Sequence, residues 1–171
     1  INNTMHKFTT GLNFTLDNYQ ELVTVKDWSR TDNSIGAFFE YTYDNDENFS
    51  LILGGRIDNH NRLGTFVTPR LHMRYNPWAK AVFRFSAGRG KRSANIFAEN
   101  QSLFASSRAF SILDTNGKIY GLNPEIAWNY GLSFIQNFKL FGRDSGIVLD
   151  YYRTDFQNQA VVDVDFSPQE V

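Results

Sequence analysis

Ile35-Gly36-Ala37-Phe38-Phe39-Glu40-Tyr41-Thr42-Tyr43, the link Asp44-Asn45-Asp46-Glu47-Asn48, and Phe49-Ser50-Leu51-Ile52-Leu53-Gly54-Gly55-Arg56-Ile57-Asp58 decide the fold. In the first run Ile35, Ala37, Phe39, Tyr41 and Tyr43 alternate with Gly36, Phe38, Glu40 and Thr42. In the second, Phe49, Leu51, Leu53, Gly55 and Ile57 oppose Ser50, Ile52, Gly54, Arg56 and Asp58. An apolar face at period two is the pattern of a strand, and so short a link makes the pair antiparallel.

The same period extends in both directions. Upstream, His6, Phe8, Thr10, Leu12, Phe14 and Leu16 face away from Lys7, Thr9, Gly11, Asn13 and Thr15. Downstream, strands are predicted around 70–75, 81–88, 128–134 and 147–154, with an eighth starting near Ala160 to Phe166. Nothing reads with helical periodicity, so the chain is all-β. The links alternate: 17–33 long, 44–48 short, 59–67 intermediate, 76–79 short, 89–123 very long, 142–145 short. In an up-and-down antiparallel meander this puts tight turns on one rim and large loops on the other, as in a transmembrane β-barrel. Asp114-Thr115-Asn116-Gly117 predicts a tight turn inside the longest loop, since Asn-Gly supplies positive φ angles.

Composition bounds the rest. The 171 residues fit one domain, and 17 basic against 18 acidic residues exclude nucleic-acid binding driven by bulk positive charge. With no cysteine, disulfides, thiolate metal sites and cysteine nucleophiles are excluded together. No apolar run reaches the roughly 18 residues of a membrane helix. The mean hydropathy of -0.40 does not make the chain soluble, because barrel strands average polar and apolar faces. Aromatic residues reach 16 Phe, 8 Tyr and 3 Trp, and Tyr41, Tyr43, Phe49, Tyr75, Trp78, Phe138 and Phe141 gather at the short-turn rim, where a barrel carries its aromatic girdle. Ile1-Asn2-Asn3-Thr4 has no signal-peptide character, so a trimmed precursor or a piece of a longer chain is expected.

No catalytic constellation emerges. His6, His60 and His72 lack metal-ligand spacing, and no cofactor is expected. Asp44, Asp46 and Asn48 start like a calcium loop, but Phe49 and Gly55 occupy its glycine and glutamate positions. Gly88-Arg89-Gly90-Lys91-Arg92-Ser93 lacks the first glycine and the Ser/Thr of a phosphate loop. What remains is a polar lining: Lys7, Arg56, Arg70, Arg74 and Arg84 against Glu40, Asp58 and Asp150. On a lipid face each charge would cost about 2–4 kcal/mol near the midplane, so these side chains belong in a wet lumen.

Three stretches carry a family resemblance. Gly88-Arg89-Gly90-Lys91-Arg92-Ser93-Ala94-Asn95-Ile96-Phe97-Ala98-Glu99-Asn100 resembles the place where a strand of TonB-dependent outer-membrane receptors runs into a large extracellular loop. Leu122-Asn123-Pro124-Glu125 with Trp128-Asn129-Tyr130-Gly131-Leu132 is similar to a Leu-x-Pro-Glu strand start of that family, and Tyr151-Tyr152-Arg153-Thr154-Asp155-Phe156-Gln157-Asn158 to its next strand. Gly36 to Tyr41 and Gly54 to Asp58 are compatible with two earlier strands, while Lys91 and Ala94 depart from the usual aromatic and proline.

The resemblance implies a non-enzymatic receptor of the Gram-negative outer membrane, with a 22-stranded barrel, an N-terminal plug domain and import driven by the TonB complex. Its partners would be outer-membrane lipid, the plug and remaining barrel, TonB indirectly, and a small-molecule or metal-chelate substrate such as a ferric siderophore. Residues 1–171 would then be a C-proximal part of the barrel domain, about seven to eight strands without plug or TonB box, unable to transport alone. Arg89, Arg92, Asn95 and Phe97 are the candidates for facing substrate, or else for bonding the plug and packing the loop. The competing reading is a soluble β-barrel or sandwich with the rings lining an interior for a small apolar ligand; a small membrane barrel with a hydrolytic site is a third. The positions of Phe39, Leu53, Phe83 and Leu132 separate the first two.

Overall fold

The computed structural model describes residues 5–23, 26–105, 107–113, 117–167 and 169–170. The alternating runs form β1 (His6–Tyr19), β4 (Arg30–Asp44), β5 (Phe49–His60), β6 (Gly64–Tyr75), β7 (Ala81–Arg92), β8 (Glu125–Leu140) and β9 (Arg143–Asn158). They join in that order as one antiparallel sheet, a meander in which every strand pairs with its neighbour along the chain. Residues 20–29 carry the small ribbon of β2 (Leu22–Val23) and β3 (Lys26–Asp27).

The strands outrun the predicted spans because alternation persists beyond the apolar stretch. The predicted intermediate link at 59–67 contracts to Asn61-Arg62-Leu63, with Gly64 at φ 70° and His60 Nδ1 accepting the Arg62 and Leu63 backbone N–H groups at 3.1 and 3.3 Å. The sequence pattern that resembled a calcium loop is a turn. Asn45 Oδ1 accepts the backbone N–H groups of Glu47, Asn48 and Phe49 at 2.9–3.1 Å. The β8–β9 link is the two-residue turn Phe141-Gly142, both at positive φ, the hairpin geometry that matches strand twist. The eighth strand expected near Ala160 to Phe166 does not form. Asp163 Oδ1 takes the Asp165 backbone N–H at 3.0 Å, and the local turn replaces a ladder. Of the predicted Asn-Gly turn, residues 114–116 lie outside the described residues.

The register sorts the side chains. One row reads His6–Tyr43–Leu51–Met73–Phe85–Leu132–Tyr151, and a row of opposite facing, three residues along, reads Thr9–Glu40–Gly54–Arg70–Gly88–Asn129–Thr154. The first face is apolar and stays uncovered: Phe39 is 50%, Leu53 43% and Leu132 49% exposed, and Phe83 is half-buried only against neighbours such as Phe134. No second layer packs on that face among the described residues, so the sandwich reading fails. The apolar residues span Phe8 to Leu16 on β1 but only Ile147 to Tyr151 on β9, although Tyr151 is level with His6. The apolar band therefore slants across the hydrogen-bond rows, as it must where strands tilt in a barrel wall.

Glycines shape the polar face. A Cβ at Gly54 would lie 2.8 Å from Arg70 Nε, because the Arg70 side chain crosses β5 there to pair with Glu40 on β4. A Cβ at Gly36 would run into the Asp58 carboxylate and lie 2.6 Å from the Asn13 side-chain amide. Those side chains meet over β4 from either side.

Candidate functional site at the long-loop rim

The buried apolar cluster of the described residues is not under the sheet but in the loops above it. Ala94, Ile96, Phe97, Ile119 and Tyr120 are 4–9% exposed, with Val23, Trp28, Leu63, Phe110, Ile112, Leu122 and Ala160 packed around them. The long loop folds through a single helical turn, α1 (Ile96–Glu99), whose last carbonyls are met partly by the Asn100 side chain, Nδ2 to Ile96 O at 2.7 Å. Phe97 is the hub of the rings: its centroid lies 5.1 Å from Tyr120, 5.7 Å from Phe110 and 5.9 Å from Trp28, mostly edge to face.

Beneath this cluster Arg30, at the start of β4, ties three segments together. Its Nη1 donates to Glu21 Oε2 at 2.9 Å and to the Tyr120 hydroxyl at 2.7 Å, Nη2 to Asn95 Oδ1 at 2.9 Å, and Nε to Asp32 Oδ2 at 3.1 Å. The guanidinium also lies 4.0 Å over the Tyr19 ring and 4.6 Å over that of Tyr120. Arg62 Nε, from the β5–β6 turn, meets the other Asp32 oxygen at 2.9 Å. Two cations and two carboxylates thus balance, which a largely buried cluster requires. Burial, reinforced by the Tyr120 hydroxyl donating to Glu21, pushes the Tyr120 phenol up to about 12.

The four loop candidates separate. Phe97 is buried in the loop cluster at 6% exposure, and Asn95 holds Arg30. Arg92 bonds Glu125 Oε2 through Nε at 2.6 Å and Glu99 Oε1 through Nη1 at 3.1 Å. Arg89 pairs with Trp128 on the apolar side of the sheet and donates to Val67 O at 3.0 Å. Lys7, Glu40, Arg56, Asp58, Arg70, Arg74, Arg84 and Asp150 all share the polar face. Arg56 grips Asp58 through Nε and Nη2 at 2.6–2.9 Å, Arg70 pairs with Glu40, and Arg74 reaches Asn76 at 3.3 Å. Arg74 and Arg84 stand directly opposite each other in the register, and Arg84 forms no ion pair among the described residues.

Sequence reasoning missed the Arg30 cluster and an apolar cleft of about 310 Å³ between the long loop and the segment after β9, lined in part by Phe110, Ile112, Leu113, Leu122, Val162 and Phe166. The first had a signal: carrying the 35–43 alternation back through Ser34, Asp32 and Arg30 puts all three on the polar face. The second joins segments some 50 residues apart and had none. Among the described residues no three His, Asp or Glu side chains converge as metal ligands.

A slanted apolar band, a glycine-crossed polar face and folded loops on one rim describe a section of a large barrel. The family model for the TonB-dependent receptor-like β-barrel matches residues 2–171, essentially the whole chain. The chain belongs to this family. Receptors solved from Pseudomonas aeruginosa share the fold. The siderophore receptor PirA superposes with a TM-score of 0.66 at 16% identity, over 94% of this chain and 30% of its own. Two mutants of the ferric enterobactin receptor PfeA give 0.64 and 0.61 at 17% identity, over 90% of this chain and 24% of theirs. The chain thus spans less than a third of these receptors. No curated protein matches its sequence.

Proposed function

We propose that residues 1–171 form part of the barrel domain of an outer-membrane receptor that takes up a scarce nutrient, a ferric siderophore or a similar metal chelate, by TonB-dependent transport. The observation that carries this reading is the uncovered apolar face: residues such as Phe8, Leu12, Phe39 and Leu149, each at least half exposed, need acyl chains against them. On the opposite face Lys7, Arg56, Arg70, Arg74, Arg84, Glu40, Asp58 and Asp150 line the lumen. Arg74 and Arg84, facing each other with no ion pair among the described residues, seek acidic groups of the plug, because like charges directly opposite are destabilising.

The folded loops form the outer mouth of the substrate path. Arg92, Asn95 and Phe97 serve it by fixing the shape of the 93–124 loop, and the neighbouring apolar cleft offers contact area to a chelate. This is receptor work, not catalysis. Siderophores are the substrate class because PirA, which shares the fold, is described as a siderophore receptor and PfeA as a ferric enterobactin receptor.

The test is uptake. Cells making the complete receptor that carries this segment should accumulate radiolabelled iron from a ferric siderophore only while TonB is present. Uptake that persists without TonB would remove the transport proposal. The separate polypeptide 1–171 should require detergent or lipid to stay dispersed, because its exposed apolar face and two free sheet edges leave both side chains and backbone unsatisfied.

A further inference from the structure

The apolar face carries two neighbouring cations, Arg89 and Lys91, with no counter-ion among the described residues. Arg89 stands in the row of Trp128, with Ala87 and Phe85 below it on the same side of β7. It has no carboxylate within ion-pair reach among the described residues, whereas Arg153, the arginine opposite Tyr130 on that face, is neutralised by Asp155 at 2.7 Å. Lys91, two residues farther along, has the same facing, with Nζ on Leu63 O at 3.1 Å. Both side chains are there because the β6–β7 ladder ends early. It runs from Tyr75↔Phe83 only to Arg70↔Gly88, while β6 stays paired with β5 through Pro69 as far as Gly64. Pro69 has no N–H to offer β7, so the ladder stops, and across the open seam Arg89 bonds the carbonyl of Val67 in β6 and Lys91 that of Leu63 in the turn before it.

Directly below the seam, the apolar face holds a groove of about 380 Å³ lined in part by Phe39, Leu53, Pro69, Leu71, Ala87 and Trp128. Gly55, in its middle rows, has open space where a side chain would be. A cation beside an apolar groove on a membrane-facing surface has one chemical complement. We propose that the seam binds an anionic membrane lipid, its phosphate on Arg89 and Lys91 and one acyl chain along the groove. Arg89 uses one of its five donors on Val67, leaving others for phosphate oxygens. Charge complementarity decides for an acidic lipid over a neutral one, and the groove decides for a lipid over free phosphate. The inference rests on the reading that this face meets the bilayer.

The test uses the complete receptor that carries this segment, reconstituted in nanodiscs of mixed phosphatidylcholine and phosphatidylglycerol, then moved into mild detergent for native mass spectrometry. The wild type should retain phosphatidylglycerol in preference to phosphatidylcholine, and excess inorganic phosphate should not displace it. Arg89→Gln with Lys91→Gln should cut that retention roughly tenfold, Arg89→Lys should largely keep it, and Ala87→Phe, which fills the groove without adding charge, should lower retention of the bound lipid. Equal retention by the wild type and the double glutamine variant, equal retention of the two lipids by the wild type, or displacement by phosphate alone would each overturn the proposal. Loss of the membrane reading shows separately, as a wild-type receptor that never enters the nanodisc.

Discussion

Phe97 in the loop cap is 6% exposed and Phe39 in the sheet 50%. The rings are the same size, and the difference lies in what surrounds them. The cap is built like a small water-soluble core, with rings packed edge to face over a neutralised arginine. The wall leaves its rings bare on one side and spends its glycines letting charged side chains cross on the other. The cap's stability is therefore internal, whereas the wall's, on the proposed reading, depends on its surroundings: acyl chains outside, water and protein inside. Six substitutions probe that contrast.

The largest effect is expected at the centre of the bare face. Leu53→Arg should cost about 2–4 kcal/mol at the bilayer midplane and block assembly, while Ser86→Arg on the polar face should be milder. The loss of the heat-resistant band in unheated gels reports it, and equal damage from both would erase the distinction between faces. Next comes the Arg30 hub. Arg30→Ala leaves Glu21 without its cation and Asp32 with Arg62 alone in a largely buried setting, and should loosen the cap by about 3 kcal/mol. Protease should then cut within 93–124 while the strands stay protected; a cap as resistant as the wild type would show that the hub is not what holds it.

Gly36→Ala should cost about 1–3 kcal/mol, because its methyl would displace Asp58 and Asn13, whereas Gly55→Ala, with open space around it, should be nearly neutral. Denaturant titration in detergent measures both. The smallest effect belongs to Tyr120→Phe, about 1 kcal/mol for the hydroxyl bridging Arg30 and Glu21. That phenol also gives a pH signature. Its value rises from 10.0 to about 12 in the folded cap, so the unfolded form loses its proton first, and the stabilisation held below pH 10 drains away toward pH 12. Tyr120→Phe should flatten loop proteolysis across that window, and an unchanged profile would assign the dependence elsewhere.

The contrast also explains what could be read in advance. The wall was legible because Phe39, Tyr41, Leu51 and Leu53 alternate with Glu40, Thr42 and Ile52, and alternation is local. Its ends were not: Gly64-Thr65-Phe66-Val67 looks like a link because Gly64 and Pro69 bracket it, yet pairing with β5 runs through both. The reading of 160–166 as a strand failed because a strand needs a partner as well as a pattern. The cap was illegible in kind. Trp28, Phe97, Phe110 and Tyr120 are scattered over 93 positions, and nothing in their spacing announces that they meet.

Glu40 and Arg70 lie on strands that never touch, and their partnership exists only while position 54 carries no side chain. The three residues are thus one heritable unit, like a stitch that skips a thread. A lineage that loses the glycine loses the partnership too, and should be found to have replaced the acid and the arginine together.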